Sequence, residues 1–363
     1  MKKLKEILRK FAVDGDFDNV KPLGNGLIND TYVACETGSG RPGYVLQRIN
    51  HHVFRDVALL QNNICAVTRH LRRKLSAAGE TDLRRKVLTP VALRGSDQTY
   101  YHDEEADTYW RVTEYISDAV TVETVTPQSS RDAGEAFGRF QALLVDLPDE
   151  LGEPIPDFHN MELRLRQLDE AVKNDAVGRV SEVRVELEQI AKRADTMTLA
   201  QRLHREGVLP KRICHCDTKV NNMLFDRAGS VLCVIDLDTV MPSFVFSDYG
   251  DFLRTGANTG AEDDADLNNV EFNMEIFKAF TEGYLKGASS FLEPVEIENL
   301  PYAAALFPYM QAVRFLTDYI NGDTYYKISY PEHNLVRTRA QLKLLLSVER
   351  HMAEMRDFIK DMS

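Results

Sequence analysis

The sequence predicts an α+β protein in two parts: a small β-rich N-lobe over residues 1–117 and a larger, mainly helical C-lobe over 118–363. Three observations carry this. A chain of 363 residues is more than one small core fills. Apolar residues alternate at strand spacing in most of the first part and recur at helical spacing in most of the second. The clear strands of the second part are short apolar runs flanking one polar octapeptide, H-C-D-T-K-V-N-N at 215–222.

In order, residues 3–13 are expected to form a short amphipathic helix, since their apolar residues interleave with Lys and Arg at helical spacing. The stretches 20–36 and 44–50 read as strands, joined by a Gly-rich link from Gly38 to Gly43. Helical periodicity runs over 54–78. Residues 87–93 (V-L-T-P-V-A-L) and 108–116 (T-Y-W-R-V-T-E-Y-I) again read as strands. A connector near Glu114–Ser117 leads to helices expected at 131–146, 162–173, 182–206, 270–286, 295–321 and 335–360. Strands I-C-H, M-L-F and V-L-C-V-I-D form a hairpin with acidic loops, and the cleft between lobes is the expected ligand site.

Bulk properties narrow the function. A net charge of −12 repels nucleic acid and anionic membranes, so neither is an expected partner. An anionic substrate then needs local cations or a metal ion. Five cysteines without framework spacing, no secretory leader and no apolar run near the ~18–20 residues that span a bilayer point to a cytoplasmic protein.

Burying the polar groups of 215–222 unpaired would cost about 1–3 kcal/mol for each lost hydrogen bond, so the segment is either solvated loop or a working site. The pattern His215-x-Asp217-x-x-x-x-Asn222, followed by Asp236, suits metal-assisted phosphoryl transfer. Asp217 is the candidate base for an acceptor hydroxyl. Asn222 and Asp236 supply hard oxygen ligands for Mg²⁺, which keeps waters and needs only two or three protein oxygens. Lys219 is placed to offset charge on the transferring group, and His215 to brace the loop. Zinc at Cys214-His215-Cys216 is disfavoured, because the two thiols share one strand face while the His occupies the other, and no further ligand pair completes four. The thiols read as buried and inert. In the N-lobe, Gly24 and Gly26 sit between strands, where a Gly-x-Gly lets backbone approach phosphates. Asp248 and Asp251 are expected to cap a helix or brace the catalytic loop, and Arg254 either pairs with one of them or binds substrate. Residues 262–266 read as a solvated acidic turn, and Arg337 and Arg339 as structural.

The blocks at 215–225, 234–238 and 246–251 resemble those of the aminoglycoside phosphotransferase and choline kinase group of protein-kinase-like folds. Further blocks are similar to the N-acetylhexosamine 1-kinases: G-x-G-x-I-N-x-T-Y (Gly24–Tyr32), Y-V-L-Q-R-I-N (44–50), I-D-L-D-T-V-M-P (235–242), R-F-L-T-D-Y-I-N-G-D (314–323) and Y-P-E-H-N-L-V-R-T-R (330–339). The resemblance implies ATP-dependent phosphorylation of the anomeric hydroxyl of N-acetylglucosamine or N-acetylgalactosamine, with ATP and an amino sugar as partners and Mg²⁺ as cofactor. It implies that Asp238 assists the metal, that Glu114, Tyr115 and Ile116 meet adenine through backbone groups, and that Arg314 touches the sugar, with Asn29, Asp323 and Tyr326 as further candidates. Two departures stand out. Gln47, with Arg48 on the opposite face, occupies the strand position where such folds carry a phosphate-pairing Lys, so either is a candidate phosphate contact. Leu27 and Thr255 replace a His and a Phe of the known pattern, which bears on the acceptor. Another small-molecule kinase of the same fold, acting on an aminoglycoside, choline, homoserine or methylthioribose, and a non-catalytic nucleotide- or sugar-binding module remain open.

Overall fold

The structure, a computed structural model, describes residues 2–24, 28–122 and 125–362. The elements along the chain are α1 (Lys2–Leu8), β1 (Phe17–Pro22), β2 (Asp30–Glu36), β3 (Pro42–Ile49), α2 (Val57–Ala77), α3 (Leu83–Lys86), β4 (Tyr100–Asp103) and β5 (Thr108–Glu114). Then come α4 (Pro127–Leu144), α5 (Met161–Asn174), α6 (Arg184–Ala191), α7 (Ala194–Met197), α8 (Leu199–Arg205), β6 (Arg212–Cys214), β7 (Met223–Phe225), β8 (Val231–Val234) and β9 (Met241–Ser243). The last are α9 (Phe246–Gly256), α10 (Met274–Ala288), α11 (Pro294–Glu298), α12 (Leu300–Ile320) and α13 (His333–Met362). The class is α+β, as expected. Among the described residues no helix is long and apolar enough to cross a membrane.

The chain divides into two compact units. The first comprises Met1–Val122, Leu143–Pro156 and Asn221–Pro242; the second comprises Glu123–Ala142, Asp157–Val220 and Ser243–Ser363. The first holds a five-stranded antiparallel sheet in the order β1-β2-β3-β5-β4. One face packs Val20, Ala34, Leu46, Trp110 and Val112 against Ile7, Leu8 and Phe11. Helix α1 therefore ends earlier than its periodicity suggests: by Phe11 the chain is extended, bridged to Leu93. Residues 87–93 make only isolated bridges, because Pro90 has no N–H for a ladder. The edge strand beside β5 is instead β4, whose residues are all half-buried, so the sequence offers no alternation to find it by. The hairpin β7–β8 also belongs to this unit.

The second unit is built on helices. α4 and α10 approach until backbone meets backbone: a Cβ on Gly134 would lie 2.2 Å from the Phe280 carbonyl oxygen, and one on Gly283 would lie 1.9 Å from that of Arg131. Gly250 of α9 similarly meets the Ala303 carbonyl of α12, where a Cβ would come within 2.4 Å. These contacts fix α9, which carries Asp248 and Asp251, against the buried α12. Two expected helices are broken. Thr198 bonds its hydroxyl to the Asp195 carbonyl at 2.9 Å, interrupting 182–206. Asn299 bonds the Val295 carbonyl at 2.8 Å and Pro301 follows, so α11 and α12 are separate.

Candidate functional site

The loop after β6 lies in the second unit as far as Val220 and is fastened by two carboxylates of α9. Asp248 accepts hydrogen bonds from the backbone N–H of His215 at 2.9 Å and of Cys216 at 2.7 Å, and from Gln141 at 2.8 Å. Asp251 accepts from the Thr218 N–H at 3.1 Å, and the Thr218 hydroxyl donates to the Asp248 carbonyl at 2.6 Å. Cys216 takes a left-handed conformation (φ 63°), uncommon for a residue with a Cβ and held here by the Asp248 contact. That kink sets the direction of Asp217. The buried His215 packs edge-on against Phe137 and Phe140, and its Nδ1 accepts from the Asp217 N–H at 3.3 Å. His215 thus braces the loop, as expected.

Asp217 and Lys219 are brought together, 3.1 Å apart, both partly exposed. Burial works against the Lys219 charge, but Asp217 and Asp251 hold its pKa above the ordinary lysine value. Burial raises the Asp248 pKa to about 6, against the opposing pull of His215 and the three donated hydrogen bonds. Arg254 bonds Asp251 at 3.1 Å and Glu262 at 2.5 Å, so Glu262 of the acidic turn is a partner and not merely solvated. Cys214 and Cys216 are buried, and burial followed by the Asp248 charge pushes both thiols well above the usual range, as inert groups require.

In the first unit Asn222 lies opposite Ile235 at the end of the β7–β8 hairpin, and Asp236 follows next in the chain. The Ile235 N–H donates to the Asn222 carbonyl at 2.9 Å, next in register after Met223–Val234. Asp236 is exposed and left-handed (φ 59°), which turns the chain out of the strand immediately after Ile235. The donor set, one amide and one exposed carboxylate, is hard-oxygen chemistry suited to Mg²⁺. Among the described residues no three His, Cys, Asp or Glu gather as a metal site, so a cation here would draw the rest of its shell from water or phosphate.

Asp238 has a different environment. It is buried, with Oδ1 accepting from Arg111 at 2.5 Å and Oδ2 accepting from Asn29 at 2.6 Å. Asn29 in turn accepts from the Asn50 N–H at 2.9 Å. Arg111 also donates to Gln47 Oε1 at 2.9 Å, and Gln47 donates to Thr31 at 3.1 Å. Gln47 and Arg111 are cross-strand partners, so the buried cation absent from β3 stands beside it on β5. Sequence reasoning missed Arg111, because strand pairing alone places it there. Arg48 faces away and pairs with Asp30 at the surface. Gly24 is left-handed (φ 68°) with open space where a Cβ would point; Gly26 and Leu27 lie outside the described residues. The Glu114 N–H is taken by Thr89 and that of Tyr115 by Gly43, both at 2.9 Å, while the Glu114 side chain pairs with Arg84. Ile116 is buried.

The remaining candidates belong to the second unit. Arg314 of α12 lies over the Phe158 ring at 5.4 Å and the Tyr326 ring at 5.6 Å, close enough for cation–π attraction. Asp323 is separate from them in role: its side chain is 4% exposed and pairs with Arg179 at 2.5 Å and Asn334 at 2.9 Å. Asp318, not singled out in the sequence, organises this corner. It accepts from the N–H groups of Thr324, Tyr325 and Tyr326 at 2.9, 2.8 and 3.0 Å and from Asn334 at 2.9 Å. Its signal was available: a carboxylate placed before an Asn-Gly turn whose N–H groups need acceptors. Thr255 spends its hydroxyl on the carbonyls of Asp251 and Phe252, both at 3.2 Å.

A family model described as a phosphotransferase enzyme family matches residues 19–280. Among solved structures, the chain is similar to a microcompartment-associated aminopropanol kinase (15% identity, TM-score 0.64, covering 98% of both chains). It is also similar to an aminoglycoside phosphotransferase from Alicyclobacillus acidocaldarius (14%, TM-score 0.62, covering 98% of this chain and 96% of that one). A spectinomycin phosphotransferase in complex with ADP and spectinomycin matches over 97% of this chain and 98% of its own (13%, TM-score 0.58). At these identities the likeness is one of fold, and the fold is kinase-like.

Proposed function

The chain belongs to the phosphotransferase enzyme family, and on that premise we propose that it phosphorylates the anomeric hydroxyl of an N-acetylhexosamine at the expense of ATP. The observation that carries the reading is the loop from His215 to Thr218. Two buried carboxylates hold its backbone, and it presents Asp217 beside Lys219. Such investment in one loop makes sense where a single carboxylate must be held against an acceptor hydroxyl.

In this reading Asp217 orients the hydroxyl and takes its proton. Lys219, paired with Asp217 at rest, offsets the charge that develops on the phosphoryl group. Asn222 and Asp236 would hold Mg²⁺, which supplies charge neutralisation at the phosphates when bound. Asp238 fits a brace for Asp236 better than a ligand, since both its oxygens are taken. Gly24 approaches the phosphates, and Glu114 to Ile116 meet adenine. ADP in the spectinomycin phosphotransferase, which shares the fold, supports the nucleotide part. Gln47 acts by orienting Arg111. Arg314 and Tyr326 form the acceptor wall, Asp323 supports it through Asn334 and the Asp318 loop, and Asn29 serves by holding Asp238. The blocks at 314–323 and 330–339 support the amino-sugar assignment.

The test is ADP release with MgATP against N-acetylglucosamine, N-acetylgalactosamine, glucose, galactose, choline and kanamycin. Turnover of the N-acetyl sugars is expected, with loss of their reducing end as the anomeric position is blocked. Asp217→Asn should lower kcat by about 10²–10⁴. Turnover of choline or kanamycin alone would move the acceptor to another class. ADP release independent of any acceptor would sink the reading.

A further inference from the structure

Acidic groups near the catalytic loop are matched with partners. Asp217 pairs with Lys219, and Asp251 and Glu262 share Arg254. Asp323 has Arg179, and Asp318 has its loop of N–H groups. Several arginines of the second unit stand outside this balance: Arg337 bonds only the Lys327 carbonyl and the Asn334 amide oxygen, and Arg164 and Arg314 lie together beside Phe158. The Arg164 guanidinium bonds only neutral acceptors: the carbonyls of Asp157 at 3.2 Å and Phe158 at 2.8 Å, and the Gln167 side chain at 2.9 Å. Its Nε is buried without a hydrogen-bond partner. Arg314 bonds the Gln311 amide oxygen at 3.0 Å and otherwise lies between aromatic rings. Among the described residues neither makes an ion pair with a carboxylate. The Tyr326 hydroxyl, beside Arg314, is likewise buried and has no partner.

The two cations feel each other. Burial, then Arg314, brings the Arg164 pKa down to about 10. Burial, then Arg314 and Arg164, pushes His159 well below its ordinary value and keeps it neutral. His159 stacks on Phe158 at 4.3 Å and bonds Ser247 of α9, one residue before the Asp248 that holds the catalytic loop. Two half-buried like charges with an unsatisfied N–H and an unsatisfied phenol are costly in a resting protein. A neutral sugar would supply hydrogen bonds but leave the charge in place, whereas an oxyanion answers all of it.

We propose that the acceptor carries an anionic substituent, a carboxylate, sulfate or phosphate ester, received by Arg164 and Arg314 with the Tyr326 hydroxyl donating to it. This rests on the reading of Arg314 and Tyr326 as the acceptor wall. The substrate class becomes an N-acetylhexosamine with a negative charge away from the reacting hydroxyl.

The experiment compares kcat/KM for N-acetylglucosamine with that for its 6-sulfate, its 6-phosphate and its 3-O-lactyl ether, the three arms separating ester from carboxylate. At least one charged sugar should exceed the neutral parent by roughly tenfold or more, because a site built for a polar group discriminates against the analogue lacking it. Arg314→Gln and Arg164→Gln should cut turnover of that sugar by a larger factor than turnover of the parent, and Arg314→Lys should restore part of the difference. A parent sugar turned over as well as or better than every charged one overturns the inference and leaves the kinase reading intact. If no sugar is turned over, the kinase reading fails, and calorimetric binding of the same four sugars decides. Tighter binding of a charged sugar that Arg314→Gln abolishes supports the anion site; its absence overturns that too.

Discussion

Replacing Arg111 by Met removes the cation from a buried network while keeping most of its volume. The Arg111 and Asp238 side chains are 6% and 5% exposed, so water does not screen the pair. After substitution Asp238 keeps only the Asn29 amide, and its Oδ1 faces an apolar chain. Gln47 Oε1 loses its donor as well. Removing one partner of a buried ion pair costs about 3–5 kcal/mol, because the remaining charge stays buried and unanswered. The first unit has about 160 residues, a size at which 1 kcal/mol moves Tm by about 2–4 °C, so its transition should fall by roughly 6–20 °C. Urea and thermal unfolding, followed by circular dichroism, measure this. Asp238→Leu added to Arg111→Met should recover a large part of the loss, since an apolar pair of similar volume replaces a buried ion pair at little cost. A loss below about 1 kcal/mol for Arg111→Met, or losses that simply add in the double variant, would refute the argument that the pair is desolvated. Because Asp236 lies two residues before Asp238, the single variant should also raise the Mg²⁺ concentration needed for half-maximal turnover.

Asp248 has a folded pKa of about 6, raised by burial above the unfolded value of about 3.9. Its share of stability is therefore full below pH 4 and is lost as pH rises through 6, by about 3 kcal/mol at 1.36 kcal/mol per unit. Unfolding measured from pH 4 to 8 should lose this component in Asp248→Asn, and an unchanged slope would contradict the assignment. Gly283→Ala puts a Cβ 1.9 Å from the Arg131 carbonyl oxygen, so it should destabilise by about 3 kcal/mol, the top of the overpacking range, read as a lowered urea midpoint. Asp318→Asn leaves the Thr324–Tyr326 N–H groups short of acceptors and should raise KM for the acceptor by roughly tenfold while leaving KM for ATP in place, as steady-state kinetics would show.

The sequence made the helices of the second unit and the β2–β3 hairpin legible because their periodicity is long and uninterrupted. The limits of that signal are physical. Thr198 and Asn299 break expected helices by bonding their own backbone, an outcome that apolar spacing does not register. Pro90 turned an apolar run into isolated bridges, and β4 pairs with β5 although its four residues lack alternation. At the site, the bracing role of Asp248 and Asp251 was foreseeable from carboxylates close to the octapeptide. Arg111 and Arg164 were not foreseen, because each acquires its role from a partner that packing brings near; Asp318 was overlooked although its local Asn-Gly turn offered the signal.

That contrast bears on how far each part of the functional reading reaches. The residues proposed for phosphoryl chemistry fall within Asp217–Asp238, and local chain geometry places each pair within its own unit: the left-handed Cys216 turns Asp217, and the hairpin register sets Asn222 opposite Ile235, the residue before Asp236. The fold that carries this segment recurs in an aminopropanol kinase and a spectinomycin phosphotransferase. The proposed acceptor wall instead draws on Phe158, Arg164, Arg314 and Tyr326, from three separate stretches joined by stacking and by the Asp318 loop. On this proposal a single change there should alter the acceptor without touching the chemistry. The unmatched charge on Arg164 and Arg314 is therefore the feature of this chain that speaks most directly to its substrate, and the charged-sugar panel asks about it with the phosphoryl machinery held constant.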